Sequence, residues 1–345
     1  MHRYTAAPCD GASGGGDARQ MKGTKQKSSN QVEPVGIIGL GLMGRGIASC
    51  LLAQGLEVIA YNRTASRARA SLSHIDHSLK ELARRRIISP GRYRNWRQRL
   101  TLAGSLCDLA PCRFVIESVK EDLALKQGIY DEIESALAPT AIIASNTSSI
   151  PITVLQTGRK NPERFVGMHW GEPAHITRYL EVIPGRHTSP RTLRLTVRLG
   201  EMCGKEPTKL NEDIRGFLSN RMMYAMIREA FHLVEAGIAD IETVDRSFRN
   251  DIGWWALLAG PFRWMDLTGI PAYLLVMEDL FPKLCNSVEA PKLMRETVES
   301  GALGIANAKG FYRYTKASAR RWEKAWVEFS YEMRKLAEKY SEKNL

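Results

Sequence analysis

Short, continuous apolar runs punctuate the first two thirds of the chain: residues 35–40 (VGIIGL), 57–61 (EVIAY), 114–116, 141–144, 165–168 and 180–183. Runs of this length without alternation suit strands buried on both faces of a parallel sheet. After Gly216 they stop. Residues 217–236 carry a long helical pattern, and further helical stretches follow. The change falls near residues 211–215, which predicts an α/β domain over 35–213 and an all-helical domain over 214–315. Beyond it, Trp322, Trp326, Phe329, Met333, Leu336 and Tyr340 recur at alternating steps of four and three. That is one apolar stripe, so residues 316–345 are expected to form an amphipathic helix packed on its own domain or on a second copy.

The first two runs frame a motif. Residues 35–40 lead into Gly39-Leu40-Gly41-Leu42-Met43-Gly44, then into a helical segment closed by Gly55, then into the second strand. Strand, glycine turn, helix and strand are the context in which GxGxxG signals a dinucleotide site of Rossmann type. Gly39 permits the turn, Gly41 lets backbone approach a pyrophosphate, and Gly44 lets helix and sheet pack closely. The helix N-terminus offers free N–H groups to the phosphates, beside Leu42 and Met43. An NAD site of this kind commonly ends its second strand in Asp or Glu, which holds the ribose hydroxyls. Here Asn62 stands 23 positions after Gly39, followed by Arg63. Arg63 is suited to pair with a 2′-phosphate. NADP(H) is therefore the expected cofactor, with NAD(H) the alternative.

Composition adds limits. The chain has 345 residues, 44% hydrophobic and 25% charged, enough for two domains. No apolar run is long enough to span a bilayer, so no membrane association is expected. Residues 1–34 are rich in Gly, Ser, Lys and Gln and are read as a disordered leader. The six cysteines form no CxxC pair and no metal-ligand spacing; they read as scattered reduced thiols of a cytoplasmic protein, with no metal expected. The net charge of +12 is concentrated: residues 63–99 hold eleven Arg or Lys against Asp76 and Glu81. This fits either a solvated helical face or a site for a polyanion. Nucleic acid is a weaker option, because no nucleic-acid-binding module is visible.

Several further motifs occur in order: GLGLMGRGIA (39–48), VIESVKEDLALK (115–126), SNTSSI (145–150), HWGEP (169–173), YLEVI (179–183), RGFLSNRMM (215–223), GPFRWMDLTG (260–269) and KGFYRY (309–314). Each alone is unspecific. Together they resemble the 3-hydroxyacyl-CoA dehydrogenase family over most of the chain. The resemblance implies a Rossmann-like N-terminal domain, a helical hairpin at about 66–100 lying along a CoA moiety, and a helical C-terminal domain through which the chain forms a homodimer. It also implies a small-molecule substrate, an acyl-CoA or a related 3-hydroxy acid. A sugar acid or carnitine-like substrate is the alternative within the family. A non-catalytic dinucleotide-binding protein is a third reading, less favoured because the polar site residues are retained.

The same resemblance assigns the site. His169 is expected to be the base and Glu181 the carboxylate that orients it. Imidazole suits proton removal from an alcohol, because its pKa lies near working pH. Ser148 and Asn220 are expected to bind the reacting oxygen. Taken on residue type alone, Ser148 or Ser149 also reads as a helix N-cap, and Asn220 as an interface polar residue. Glu121, Lys126 and Asn146 are expected along the nicotinamide half of the cleft, with an exposed Glu121–Lys126 ion pair as the simpler alternative. The chain departs from the family at Glu172, where relatives carry Asn before proline, and at Ala174. Glu172 is expected beside the substrate, where its charge disfavours a simple short 3-hydroxyacyl-CoA unless Arg178 or His175 neutralises it.

Overall fold

The computed structural model describes residues 33–341 and residue 344; the expected leader lies outside the described residues. Eight strands form one sheet: β1 (Val35–Ile38), β2 (Val58–Tyr61), β3 (Leu100–Ala103), β4 (Phe114–Glu117), β5 (Ile142–Ser145), β6 (Phe165–Trp170), β7 (Tyr179–Pro184) and β8 (Glu206–Lys209). Their order is β3-β2-β1-β4-β5-β6-β7-β8, and only β6 and β7 pair antiparallel. β1, β4 and β5 are buried throughout, as their unbroken apolar sequences require. The two edge strands escape the apolar-run criterion. β3 falls at the end of the expected insertion, and β8 (EPTK) is polar and carries Pro207, which an edge position tolerates.

Helix α1 (Leu42–Ala53) follows the glycine turn and is buried all round from Gly46 to Ala53. The insertion is α2 (Ala65–Arg84), a short α3 (Pro90–Arg94) and a 3-10 turn. α4 (Leu123–Ala136) starts where the Asp122 side chain accepts from the Leu125 N–H at 3.0 Å. α5 (Ile152–Leu155) and α6 (Pro190–Met202) complete the first domain. The second domain is helical: α7 (Ser219–Glu235), α8 (Ile241–Asn250), α9 (Ile252–Trp255), α10 (Pro261–Thr268), α11 (Ile270–Leu280) and α12 (Lys292–Glu299). The molecule is thus a Rossmann-like α/β domain followed by a helical one.

Helix α13 (Lys316–Lys339) turns back onto the first domain. Its docked side differs from the expected stripe. Tyr331 is 2% exposed within the core of the first domain, under the Arg85 guanidinium at 3.9 Å from the ring centroid. Arg85 also pairs with Glu328 at 2.6 Å, and Arg334 donates to the Ile176 carbonyl at 3.1 Å. Trp322, Trp326, Phe329, Leu336 and Tyr340 are exposed. Counting apolar positions alone missed a docking face built from one tyrosine and several arginines.

The basic segment is largely occupied by its own contacts. Arg84 pairs with Glu81 at 2.8 Å and Arg97 with Asp76 at 3.1 Å; Arg92 donates to the Ala53 carbonyl at 3.0 Å and Arg99 to the Arg92 carbonyl at 2.8 Å. Cys50, Cys112, Cys203 and Cys285 are free thiols. Cys107 is disulfide-bonded, contrary to the reduced state expected for all six; the cysteine spacing carried no sign of it. Among the described residues no helix is long and apolar enough to cross a membrane.

Candidate active site

Strands β6 and β7 bring the first pair together. In their antiparallel register His169 lies directly opposite Glu181. The twelve-residue spacing is therefore a cross-strand contact, with His169 Nδ1 3.0 Å from Glu181 Oε2. The other carboxylate oxygen accepts the N–H groups of Leu218 and Ser219 at 3.1 and 2.9 Å. Two successive left-handed residues, Gly216 at φ 78° and Phe217 at φ 50°, aim those N–H groups at it. A non-glycine residue there costs roughly 1–2 kcal/mol, and fully buried Phe217 also packs its ring 5.8 Å from that of His169.

Burial pushes the Glu181 carboxyl up, but the hydrogen bonds from His169, Tyr179 and Ser219 outweigh it and hold the pKa at about 2. The ionised carboxylate only accepts hydrogen bonds, so Nδ1 carries the imidazole proton and Nε2 is left as the basic nitrogen. Tyr179, unremarked in the sequence, places its hydroxyl 3.1 Å from Nδ1. Burial, with the charge of Glu181, pushes this phenol above its ordinary value, so it stays protonated. The signal was present: positions 179 and 181 share one face of a strand. Gly171 leaves the room, since a Cβ there would meet the Tyr179 ring at 2.8 Å.

Ser148 and Asn220 meet at the same cleft, and the Asn220 amide donates to the Ser148 carbonyl at 3.0 Å. Neither Ser148 nor Ser149 caps a helix, since α5 starts after Pro151 without a side-chain cap; the Thr147 hydroxyl oxygen accepts the Ile150 N–H at 3.0 Å and shapes the loop before it. Glu121 holds this loop by accepting from the Thr147 hydroxyl and from the Ser148 and Ser149 N–H groups. Asn146 bridges Ser118 and the Trp170 N–H. Glu121 and Asn146 line the cleft.

Lys126 is fully buried, 2.7 Å from Glu117 and 3.4 Å from Glu121, so it supports the cleft from behind instead of facing it. Glu117 also accepts from the Tyr130 and Ser145 hydroxyls at 2.7 and 2.8 Å, satisfying its buried charge. Glu172 is exposed at the cleft and has no ion-pair partner among the described residues. Arg178 bridges Glu206 and the Ala337 carbonyl instead. His175 is held neutral by burial, which lowers its pKa to about 3.

The glycine turn fits a dinucleotide. A Cβ on Gly44 would sit 1.9 Å from the Gly39 carbonyl oxygen, whereas a Cβ on Gly41 would meet nothing within 4 Å. The first is needed for packing, and the second leaves open the side that a pyrophosphate approaches. Gly41, Leu42 and Met43 share the cleft of about 710 Å³ with His169 and Asn220. Asn62 accepts the Leu40 N–H at 3.1 Å and donates to the Thr64 carbonyl at 3.0 Å, so both ends of its amide already brace the turn. Arg63 is exposed.

Two family models match in succession: the 3-hydroxyacyl-CoA dehydrogenase NAD binding domain over residues 34–214 and the C-terminal domain of the same family over residues 216–314. The chain belongs to the 3-hydroxyacyl-CoA dehydrogenase family. It is a nicotinamide-dependent oxidoreductase of that type. The chain is 36% identical to the 5-formyl-3-hydroxy-2-methylpyridine 4-carboxylate 5-dehydrogenase of Mesorhizobium japonicum, over 82% of this chain and 91% of that one. It is 32% identical to the 3-hydroxybutyryl-CoA dehydrogenase of Bradyrhizobium diazoefficiens, over 83% and 97%. Among solved structures, the pyridine carboxylic acid 5-dehydrogenase, described as an NAD+ dependent dismutase, superposes with a TM-score of 0.83 at 31% identity, over 89% of this chain and 99% of that one. The (S)-3-hydroxybutyryl-CoA dehydrogenase of Ralstonia eutropha gives 0.69 at 31% identity, over 82% and 99%. α13 lies beyond the residues that the family models match.

Proposed function

We propose that this protein oxidises the hydroxyl of a 3-hydroxy acid or its CoA thioester, reversibly, with His169 as base. The observation that carries the reading is the Glu181–His169 contact at the floor of a cleft shared with the glycine turn. A nicotinamide bound along that turn supplies the hydride acceptor. His169 Nε2 takes the hydroxyl proton as the carbon loses its hydride, which leaves a carbonyl. Glu181 keeps the ring in the tautomer that leaves Nε2 basic and stabilises the imidazolium. Ser148 and Asn220 donate to the oxygen as it becomes a carbonyl, and Glu121 holds the Ser148 loop in place. Mixing the protein with a nicotinamide cofactor and either 3-hydroxybutyryl-CoA or free 3-hydroxybutyrate tests this through the absorbance of the reduced cofactor. No reduction with any hydroxy acid tried would sink it.

The cofactor is a nicotinamide dinucleotide, and we take NAD(H) as the working form. The family model is that of an NAD binding domain, and one similar structure is described as NAD+ dependent. The comparisons give the NADP(H) expectation no support, and its one basis is Arg63 beside Asn62. Fluorescence titration with both cofactors decides it; tighter NADP(H) binding that is lost in Arg63→Ala would reinstate the first expectation. A substrate free of CoA is a second reading, favoured by the higher TM-score of the pyridine carboxylate enzyme. A homodimer through the helical domain is part of the proposal. Its support is the exposed apolar surface there, with Trp254 83%, Phe262 79% and Leu275 68% exposed. Cytoplasmic placement also remains a proposal.

A further inference from the structure

A second cavity of about 560 Å³ adjoins the catalytic cleft and shares Ser148 and Asn220 with it. Its other walls include Arg215, Arg221, Tyr224 and Arg228. Arg221, Tyr224 and Arg228 stand at i, i+3 and i+7 on α7, so they lie along one helix face, and Arg215 comes from the turn that precedes it. In the inserted segment, Arg84, Arg85, Arg92, Arg97 and Arg99 are tied to carboxylates or carbonyls. Arg215, Arg221 and Arg228 have neither a hydrogen bond nor an ion pair among the described residues. Two acids lie on the same loop: Asp213 is already committed to the Thr153 N–H at 2.6 Å and to the Thr153 hydroxyl at 3.0 Å, and Glu212 is exposed and forms no ion pair with these arginines among the described residues. Three unneutralised guanidinium groups at the mouth of a cleft make a strong anion site, since their fork geometry matches a carboxylate. In the cleft that holds His169, Glu172 is likewise without an ion pair among the described residues. The cleft is therefore polarised, basic beyond Ser148 and Asn220 and acidic at Glu172.

We propose that Arg215, Arg221 and Arg228 form a carboxylate subsite, and that the substrate is a compact free hydroxy acid. Its carboxylate would sit among these arginines and a hydrogen-bond donor or cationic group would face Glu172. This rests on the dehydrogenase reading above and narrows its substrate class. Location separates a carboxylate from the phosphates of a CoA ester. The cavity shares walls with the two residues proposed to hold the reacting oxygen, so the anion lies a few bonds from the reacting carbon. The phosphates of CoA hang at the far end of a long pantetheine arm.

Four probes of one skeleton test it: 4-amino-3-hydroxybutyrate, 3-hydroxybutyrate, 3-hydroxybutyramide and 3-hydroxybutyryl-CoA. Each is titrated calorimetrically, with the cofactor present, into wild type, the Arg215→Gln/Arg228→Gln double variant and Glu172→Gln. Unchanged NADH affinity serves as the check on folding. The expected order in wild type is the amino acid first, then the simple acid, with the amide at least ten-fold weaker. The double variant should weaken both acids ten-fold or more and leave the amide as it was. Glu172→Gln should weaken only the amino-substituted acid. The proposal is overturned if no free acid binds at millimolar concentration, if the amide or the CoA ester binds as well as the acids, or if the double variant changes acid affinity less than two-fold. Acids that bind through the arginines without reducing the cofactor would refute the dehydrogenase reading and leave the carboxylate subsite standing.

Discussion

At the level of single residues, the proposed dyad owes its geometry to the pairing of two strands. His169 owes its tautomer to Glu181, and Glu181 owes its charge to three kinds of donor: an imidazole, a phenol and two backbone N–H groups. Its carboxyl titrates at about 2 against an ordinary 4.5, so the ionised form favours the folded chain. That contribution is complete above pH 4.5 and is lost as the pH falls towards 2. Glu181→Gln should therefore be less stable than wild type at neutral pH, with the gap closing through that window. Denaturant midpoints measured from neutral to acid pH check it; a gap that stays constant would mean that the carboxylate is not held down by these donors.

At the scale of elements, α13 forms where a helix was expected but docks through a different face. Tyr331 anchors it in the core of the first domain under Arg85. Tyr331→Ala should cost about 3–5 kcal/mol, the range for deleting a buried aromatic ring, read as a fall in the urea midpoint. A loss under about 1 kcal/mol, the scale of an exposed substitution, would place α13 outside the folded core. The central strands were readable because parallel strands covered on both faces are apolar along their whole length. β3 and β8 were not, because edge strands have no such requirement. The His169–Glu181 spacing was legible, but the reason for it, an antiparallel pair within an otherwise parallel sheet, needed the register. Lys126 misled for a similar reason: a charged residue in a loop-to-helix motif reads as a cleft residue, yet Glu117 at the end of β4 supplies a buried partner. Arg215 and Arg221 were visible in RGFLSNRMM and Arg228 lies just beyond it, but only folding sets them beside Ser148.

On the scale of the whole molecule, the helical domain contrasts with the sheet domain. Helices α7 to α12 contain no buried residue, although Trp254, Phe262 and Leu275 are large and apolar. Such a surface is expected to be covered by a second copy. Light scattering should give the mass of two chains, and Trp254→Glu should shift it towards one; a wild-type monomer at micromolar concentration would contradict the homodimer. The two domains are joined where Glu181 accepts from the start of α7, so the orientation of His169 depends on how the domains meet. The central claim is that this junction places a general base in a nicotinamide site. His169→Ala tests it most directly, with cofactor affinity measured by fluorescence and turnover by nicotinamide reduction on the same preparation. The account predicts cofactor affinity within about two-fold of wild type and turnover lowered by roughly 10²–10⁴-fold, the usual contribution of a positioned acid–base group. Turnover equal to wild type would contradict it.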